Sequence, residues 1–460
     1  MPKKYHIKTQ LVPPRFTPIS KFQIERSTEC INCGKCKNVC VYEVHKKLLA
    51  DVRKMTDSID YLCKNCFRCI QECSRNALTK KINPIFKTLG NSYWKGEIIT
   101  STWLQAETGK VPVFGAGYRG KFVGKGFDEM WTDMSEIVRP TRDGIHGREY
   151  ISTSVDLGKN LFCLNFDKEG NLLSEIPPII DIPIPIVFNI LPFANTTKNI
   201  SILSNVATNL ETFSIVEIEK YTSELVLYKN NIILHFDGQD VKNYFEQIEN
   251  VRIVELEYHE EVLDQIKIIK EKFPQIIIAV KIHINKESYL KIKELVENGV
   301  EIIHLSGTNF GVEFEEQNSR FAKDVIREIH LHLVKHSLRD SVTLIYSGGI
   351  ALAEYMAKAI ICGVDLVSID IPLLVALECR LCEKCDTFSC PVEIENVSVE
   401  FGKQRIMNMI GSWHSQLLEV LGAMGIREVR RLRGEVGRAI FYEDMEKEIF
   451  EELKGDNCAY

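Results

Sequence analysis

From about Ile179 onward the chain alternates short β-branched runs with amphipathic stretches. The runs Pro185 to Leu191, Thr212 to Val216, Ile232 to Phe236, Val251 to Tyr258, Gln275 to Ile284, Glu301 to Gly307, Val342 to Gly349 and Val364 to Asp370 predict eight strands. Helical patterns lie between most of them: Glu260 to Phe273, Lys286 to Asn298, Glu315 to His336 and Ala353 to Cys362. Eight alternations predict an α/β fold, a small (β/α)8 TIM-like barrel over residues 179–376. A doubly wound sheet is the competing fold, because counting alternations does not require closure.

The remaining sequence divides around this rhythm. Residues 21–83 are cysteine-rich, residues 84–178 form a wrapping segment with many glycines and aromatics but no repeat of strands and helices, and residues 377–396 hold a further cysteine run. Residues 397–460 read as a helical tail, Val399 to Phe450, with breaks at Gly422 and near Gly434. Its arginines, Arg427, Arg430, Arg431, Arg433 and Arg438, fit either a salt-bridged face or a docking surface for an acidic redox partner. The most apolar segment, Ile176 to Ala194, contains five prolines together with Asp181 and Asn189, so no membrane insertion is expected. A formal charge of -6 carries no basic field for nucleic acid. No continuous apolar stretch follows the first lysines, which argues against a secretory signal and for the cytoplasm.

Twelve of the 15 cysteines fall into three runs of four. Cys30, Cys33, Cys36 and Cys40, and again Cys63, Cys66, Cys69 and Cys73, read C-x2-C-x2-C-x3-C. Close, regular thiols in a long chain point to metal chemistry rather than disulfides. This spacing resembles that of a two-cluster ferredoxin, in which three cysteines wrap one corner of a 4Fe-4S cubane and the fourth completes the other cluster. By that rule Cys30, Cys33, Cys36 and Cys73 hold one cluster, and Cys63, Cys66, Cys69 and Cys40 the other. Val41 and Ser74 stand where proline usually follows the fourth cysteine. Zinc knuckles are the alternative, but their ligand pairs are separated by longer loops.

The third run, Cys379, Cys382, Cys385 and Cys390, lies in the string CRLCEKCDTFSCP directly after the last predicted barrel strand and its helix. It resembles the FMN-binding barrel of glutamate synthases, whose C-x5-C-x4-C-P segment holds a 3Fe-4S cluster; Cys379, Cys385 and Cys390 match those positions. Cys382 is an additional thiol, and four cysteines can complete a 4Fe-4S cluster, so either iron count is open, as is a four-thiolate zinc site. The strings DEMWTDMSEIVRPTRDGIHGREYISTSVDLG (128–158) and GAMGIREVRRLRGEVGRAIF (422–441) also resemble glutamate synthase-related proteins that join a ferredoxin module to this barrel. The resemblance implies an iron-sulfur oxidoreductase that passes electrons from ferredoxin-type clusters through the third cluster to FMN and a substrate in the barrel. The alternative is a flavin-free electron-transfer or scaffolding subunit of a larger redox complex.

Barrels that bind a phosphate receive it in the loops after strands seven and eight. Gly348 and Gly349 suit that place, and Lys281 matches the family lysine beside the flavin ring. Ser306 and Gly307, after strand six, keep part of the family's glycine pattern. Asp370, at the end of strand eight, brings a negative charge toward a phosphate. The first strand leads into Asn189, Ile190 and Leu191 instead of the family's flavin loop, and no glycine-rich substrate loop lies between Asp237 and Gln275. The chain opens Met1, Pro2, Lys3, Lys4 without a cysteine nucleophile, so an amidotransferase, like a flavoprotein donor or acceptor, is expected on another subunit.

Two further motifs carry less. Gly115, Gly117 and Gly120 spell a dinucleotide-type pattern, but Gly124 and Gly126 spoil the helix it needs. Arg139, Arg142, His146 and Arg148 read as a salt-bridged loop or an anion clamp. Cys163, Cys362 and Cys458 are expected to be core or free thiols.

Overall fold

A computed structural model describes residues 5–112, 126–132, 150–161, 164–173, 176–315, 318–382, 384–385 and 390–441. The eight predicted strands close into a parallel barrel: Ile186–Phe188, Ser214–Glu217, Ile232–Phe236, Ile253–Glu257, Ile277–His283, Ile302–Ser306, Thr343–Ser347 and Leu366–Ile369, with the eighth paired to the first. Closure settles the fold as a TIM-like barrel and removes the doubly wound sheet. The strands are apolar runs because helices cover their outer faces; Ile277, Ile278, Ala279 and Val280 are all buried.

Outer helices run over Thr197–Asn209, Val262–Lys272, Ser288–Glu297, Ala322–Lys335 and Ala353–Cys362. A 3-10 stretch, Ser223–Asn231, follows strand two, and the helix after strand three is only Phe245–Ile248. These shortened connections account for the compact length. The helix after strand six starts at Ala322 and not at Glu315. Ahead of it, the Glu313 carboxylate is buried against the Arg320 guanidinium at 2.9 Å. That ion pair fixes a loop where the polar pattern alone resembled a first helical turn.

The wrapping segment contains a helix, Gly96–Thr108, closed by Gly109 at φ 67. Its buried face includes Ser101, Thr102 and Gln105, which blurs the apolar period that would have revealed it. It packs on the tail helix, Val399–Ala423, where Trp413 Nε1 donates to Gln105 Oε1 at 3.1 Å. The tail passes through Gly422 in helical form and breaks at Gly425, φ 69. Beyond it, among the described residues, only the short 3-10 turns Val429–Leu432 and Val436–Arg438 remain, and Ala439–Phe441 pairs antiparallel with Met130–Thr132. Of its arginines, Arg430 bonds Asp156 (2.9 Å) and Asp181, while Arg433 bonds Asp365 (2.8 Å) and Asp340. These two lie in salt bridges within the chain. Among the described residues no helix is long and apolar enough to cross a membrane.

The cysteine-rich unit is held by Phe22–Arg26 paired antiparallel with Leu78–Ile82, which brings its two ends together. Two short helices, Lys35–Val39 and Arg68–Gln71, each carry the third cysteine of a run. The unit is tied to the larger core through Lys21 Nζ, 2.6 Å from Glu97 Oε1.

Candidate functional site

The first two cysteine runs share one local geometry. Asn32 and Asn65, each just before a second cysteine, are left-handed, and so are Gly34 and Phe67, each just after it. Such turns aim successive backbone N–H groups into one concavity. Cys40, Cys63, Cys66 and Cys69 line a single cavity of about 290 Å³, its open mouth included, together with Ile24, Val44 and Phe67. The fourth thiol of the first run thus meets the first three of the second. Burial and then the charges of Cys63, Cys40 and Cys66 push the Cys69 thiol up to about 11. Cys36 is raised by burial and, more weakly, by Cys30 and Cys33. Burial raises the Cys73 thiol too, but backbone N–H groups of Arg75, Ala77, Leu78 and Asn76 outweigh it and lower its pKa. Among the described residues no three His, Cys, Asp or Glu side chains converge as ligands of one ion.

The third run is built similarly. Burial drives Cys379 up to about 12, with Cys385, Cys382 and Cys390 adding to the rise, so the four thiols lie near one another. Leu381, just before Cys382, is left-handed at φ 50, the counterpart of Asn32 and Asn65, and its N–H points at Cys379 Sγ at 3.4 Å. Glu378 anchors this segment: its carboxylate accepts from the backbone N–H and Nε of Arg15, both at 2.8 Å.

A short stretch of the wrapping segment connects the third run to the barrel mouth. Gly90 N–H donates to Arg380 O, Tyr93 Oη donates to Gly349 O at 2.5 Å, and Trp94 Nε1 donates to Asn309 O at 2.9 Å. Tyr93 also meets the Phe310 ring edge-on. The loops after strands six and seven are thereby clamped to the same segment that touches the cysteines.

The barrel lumen holds a polar chain that the sequence reading did not select. Glu255 Oε1 lies 2.9 Å from His235 Nδ1 and Glu255 Oε2 lies 2.6 Å from His304 Nδ1, while His304 Nε2 lies 2.9 Å from Ser347 Oγ. Glu255 and His304 are fully buried. Burial would raise the Glu255 carboxyl, but His304 and His235 outweigh it and hold the group well below the usual carboxylate range. Above this chain, Glu257 bonds Lys281 Nζ at 3.2 Å and faces His283 and His235. Lys281 is largely buried with its charge paired, so it is not a solvent-facing lysine. The signal was a period-two polar residue inside apolar strands, as in Ile253–Glu257 and Ile302–Ser306.

Ser306 is paired in register with Ser347 and is nearly buried. Glycine is required at three places because backbones and rings approach closely. A Cβ on Gly307 would lie 2.6 Å from Tyr346 Oη, on Gly348 2.5 Å from Gly307 O, and on Gly349 2.5 Å from Gly311 N. The glycine pair thus has a packing reason of its own. Asp370 is buried at the end of strand eight, and its Oδ1 accepts the Ile371 N–H at 2.5 Å. Burial raises its carboxyl to about 6, although Ile371 N–H, His304 and Lys281 pull the other way.

With this geometry in place, comparison with known proteins decides the relationship. Residues 245–427 match the family described as the conserved region in glutamate synthase. The chain carries a glutamate synthase-type domain. It is similar to an archaeal-type glutamate synthase [NADPH] of Dehalococcoides mccartyi, 25% identical over 90% of this chain and 94% of that one. The archaeal glutamate synthase [NADPH] of Archaeoglobus fulgidus is 26% identical over 94% and 96%. A solved flavocytochrome b2 variant with benzoylformate aligns at a TM-score of 0.42 and 13% identity, covering 71% of this chain and 83% of that one.

The relationship suggests iron-sulfur clusters and FMN. The three thiol groups suit iron-sulfur clusters. The barrel mouth does not suit the FMN phosphate: a carboxylate already takes the backbone donor at the end of strand eight, and the glycine pair of strand seven is packed against backbone. The glycine pattern 115–120, the arginine-rich segment 139–148, Cys163 and Cys458 lie outside the described residues. Cys362 is a buried core thiol, driven up to about 12 by burial.

Proposed function

We propose that this glutamate synthase-related chain is an iron-sulfur oxidoreductase that carries single electrons from two ferredoxin-type 4Fe-4S clusters through a third cluster to the mouth of its barrel. Cys30, Cys33, Cys36 and Cys73 hold the first cluster, Cys63, Cys66, Cys69 and Cys40 the second, and Cys379, Cys382, Cys385 and Cys390 the third. The observation that carries this reading is the cavity shared by Cys40 and the three thiols of the other run, since two independent zinc knuckles have no need to exchange a ligand. The left-handed residue before the second cysteine of every run supports a four-thiolate cluster in the third as well.

Thiolate-bound iron stores an electron with little rearrangement, so the protein's work is to hold thiolates and exclude solvent. Backbone N–H groups around Cys73 stabilise negative sulfur there, and hydrogen bonds to sulfur also tune cluster potential. The segment Gly90 to Trp94 links the third cluster to the barrel. Lys281, Ser306, Gly307, Gly348 and Gly349 mark the mouth at which FMN is suggested by the relationship. The phosphate does not suit this mouth, where the Asp370 carboxylate already takes the Ile371 N–H. Asp370 favours the second reading, a flavin-free electron-transfer subunit that delivers electrons to a partner. The donor, and any amidotransferase or flavoprotein supplying nitrogen or hydride chemistry, belongs to another subunit. Labile clusters and reduced thiols suit the cytoplasm.

Electron paramagnetic resonance of anaerobic, dithionite-reduced protein tests the proposal. Interacting reduced 4Fe-4S signals are expected, and replacing Cys40 by Ala should remove the signal of the cluster built on Cys63, Cys66 and Cys69. Loss of only the cluster built on Cys30, Cys33 and Cys36 would overturn the ligand exchange.

A further inference from the structure

A barrel that receives a phosphate does so at the ends of strands seven and eight, where uncommitted backbone amides and small residues let the dianion approach. In this chain the end of strand eight is committed and the glycine loop of strand seven is tightly packed. At strand eight the Asp370 carboxylate occupies the approach and accepts the Ile371 N–H at 2.5 Å. At strand seven the spaces beside Gly348 and Gly349 are filled by Gly307 and Gly311 backbone, with Tyr93 Oη close behind at 2.8 Å from where a Gly349 Cβ would stand.

The neighbouring basic side chains are already engaged by other carboxylates. Lys281 is paired with Glu257 at 3.2 Å, and His304 and His235 share Glu255. Four acidic groups can be set against these: Glu217 on strand two, which is paired to Lys220, Glu255, Glu257 and Asp370. Asp370 has a carboxyl near 6, so it remains ionised at neutral pH and above.

From this arrangement we infer that Asp370 is a specificity-determining residue that keeps phosphate dianions, that of FMN included, out of the barrel mouth, so that the mouth accepts only ligands without a phosphate. The inference takes from the proposed function only that the mouth is the ligand-facing end of the barrel. It concerns recognition and not electron flow. The carboxylate acts in two ways: its charge repels a dianion through a poorly screened interior, and its hydrogen bond removes a backbone donor that a phosphate would use.

The test compares wild type with Asp370→Asn and Asp370→Ser, all purified anaerobically and matched for iron content. Flavin released by acid is measured first, and FMN and riboflavin are then titrated separately by quenching of flavin fluorescence. Wild type is expected to carry no stoichiometric flavin. Both variants are expected to bind FMN at least about tenfold more tightly than wild type, with riboflavin affinity changed far less. One FMN per wild-type chain would overturn the inference without needing any variant. So would failure of both iron-replete variants to gain FMN, because something other than Asp370 would then close the mouth. An iron-free wild type would defeat the proposed function instead, leaving the flavin comparison readable on its own.

Discussion

Asp370 and Glu255 are both buried carboxylates, and their surroundings push them in opposite directions. Glu255 sits between two imidazoles that favour its charge, whereas Asp370 is dominated by burial, which disfavours it. The folded carboxyl of Asp370, near 6, lies above its usual value of 3.8. Its ionisation therefore costs stability as pH rises, and the cost is complete above the folded value. Asp370→Asn, which cannot ionise, should gain on wild type by on the order of 1 kcal/mol between pH 5 and pH 7.5, read from anaerobic urea unfolding. A difference independent of pH would contradict this account of the site. Glu255→Ala leaves two buried imidazoles without their shared acceptor and should cost about 3 to 5 kcal/mol in the same assay. Gly349→Ala should cost about 2 kcal/mol or more whether or not any ligand is present, because its φ of 64 and the 2.5 Å approach of Gly311 N both oppose a side chain.

Among the elements, the barrel strands were legible because each is an apolar run bounded by turn residues, and the structure forms all eight. The helix Ala353–Cys362 falls where its pattern predicts it. The helix Gly96–Thr108 was hidden because its buried face is partly polar and depends on partners about 300 residues away, such as Trp413 for Gln105. One stretch of the tail was misread for a related reason: Ala439–Phe441 becomes a strand only by pairing with Met130–Thr132, which local composition does not encode. The long tail helix reaches the third cysteine run through Arg405, whose buried guanidinium donates to Ala376 O at 2.7 Å and lies 4.0 Å from Glu378. Arg405→Ala should destabilise the protein by about 3 kcal/mol or more and make the third cluster the first to lose iron on air exposure. Simultaneous loss of all three clusters would argue against that anchoring role.

For the whole molecule, the sequence alone disclosed the cysteine runs, the barrel and their kinship with glutamate synthases. The lumen was less legible: His235, Glu255, His304 and Ser347 come from four separate strands, and only closure brings them into one hydrogen-bonded chain. The same closure places Asp370 at the end of strand eight, between strands seven and one. The molecule thus combines a face of clustered cysteines with a barrel mouth closed by a carboxylate, and these two features can be tested separately. The central claim is the presence of three four-thiolate iron-sulfur clusters. Its most direct test is the iron and acid-labile sulfide content per chain of anaerobically purified protein, measured alongside zinc. The account predicts about 12 irons and about 12 sulfides; about 11 irons would return the third cluster to the 3Fe-4S type, and stoichiometric zinc with little sulfide would contradict the account outright.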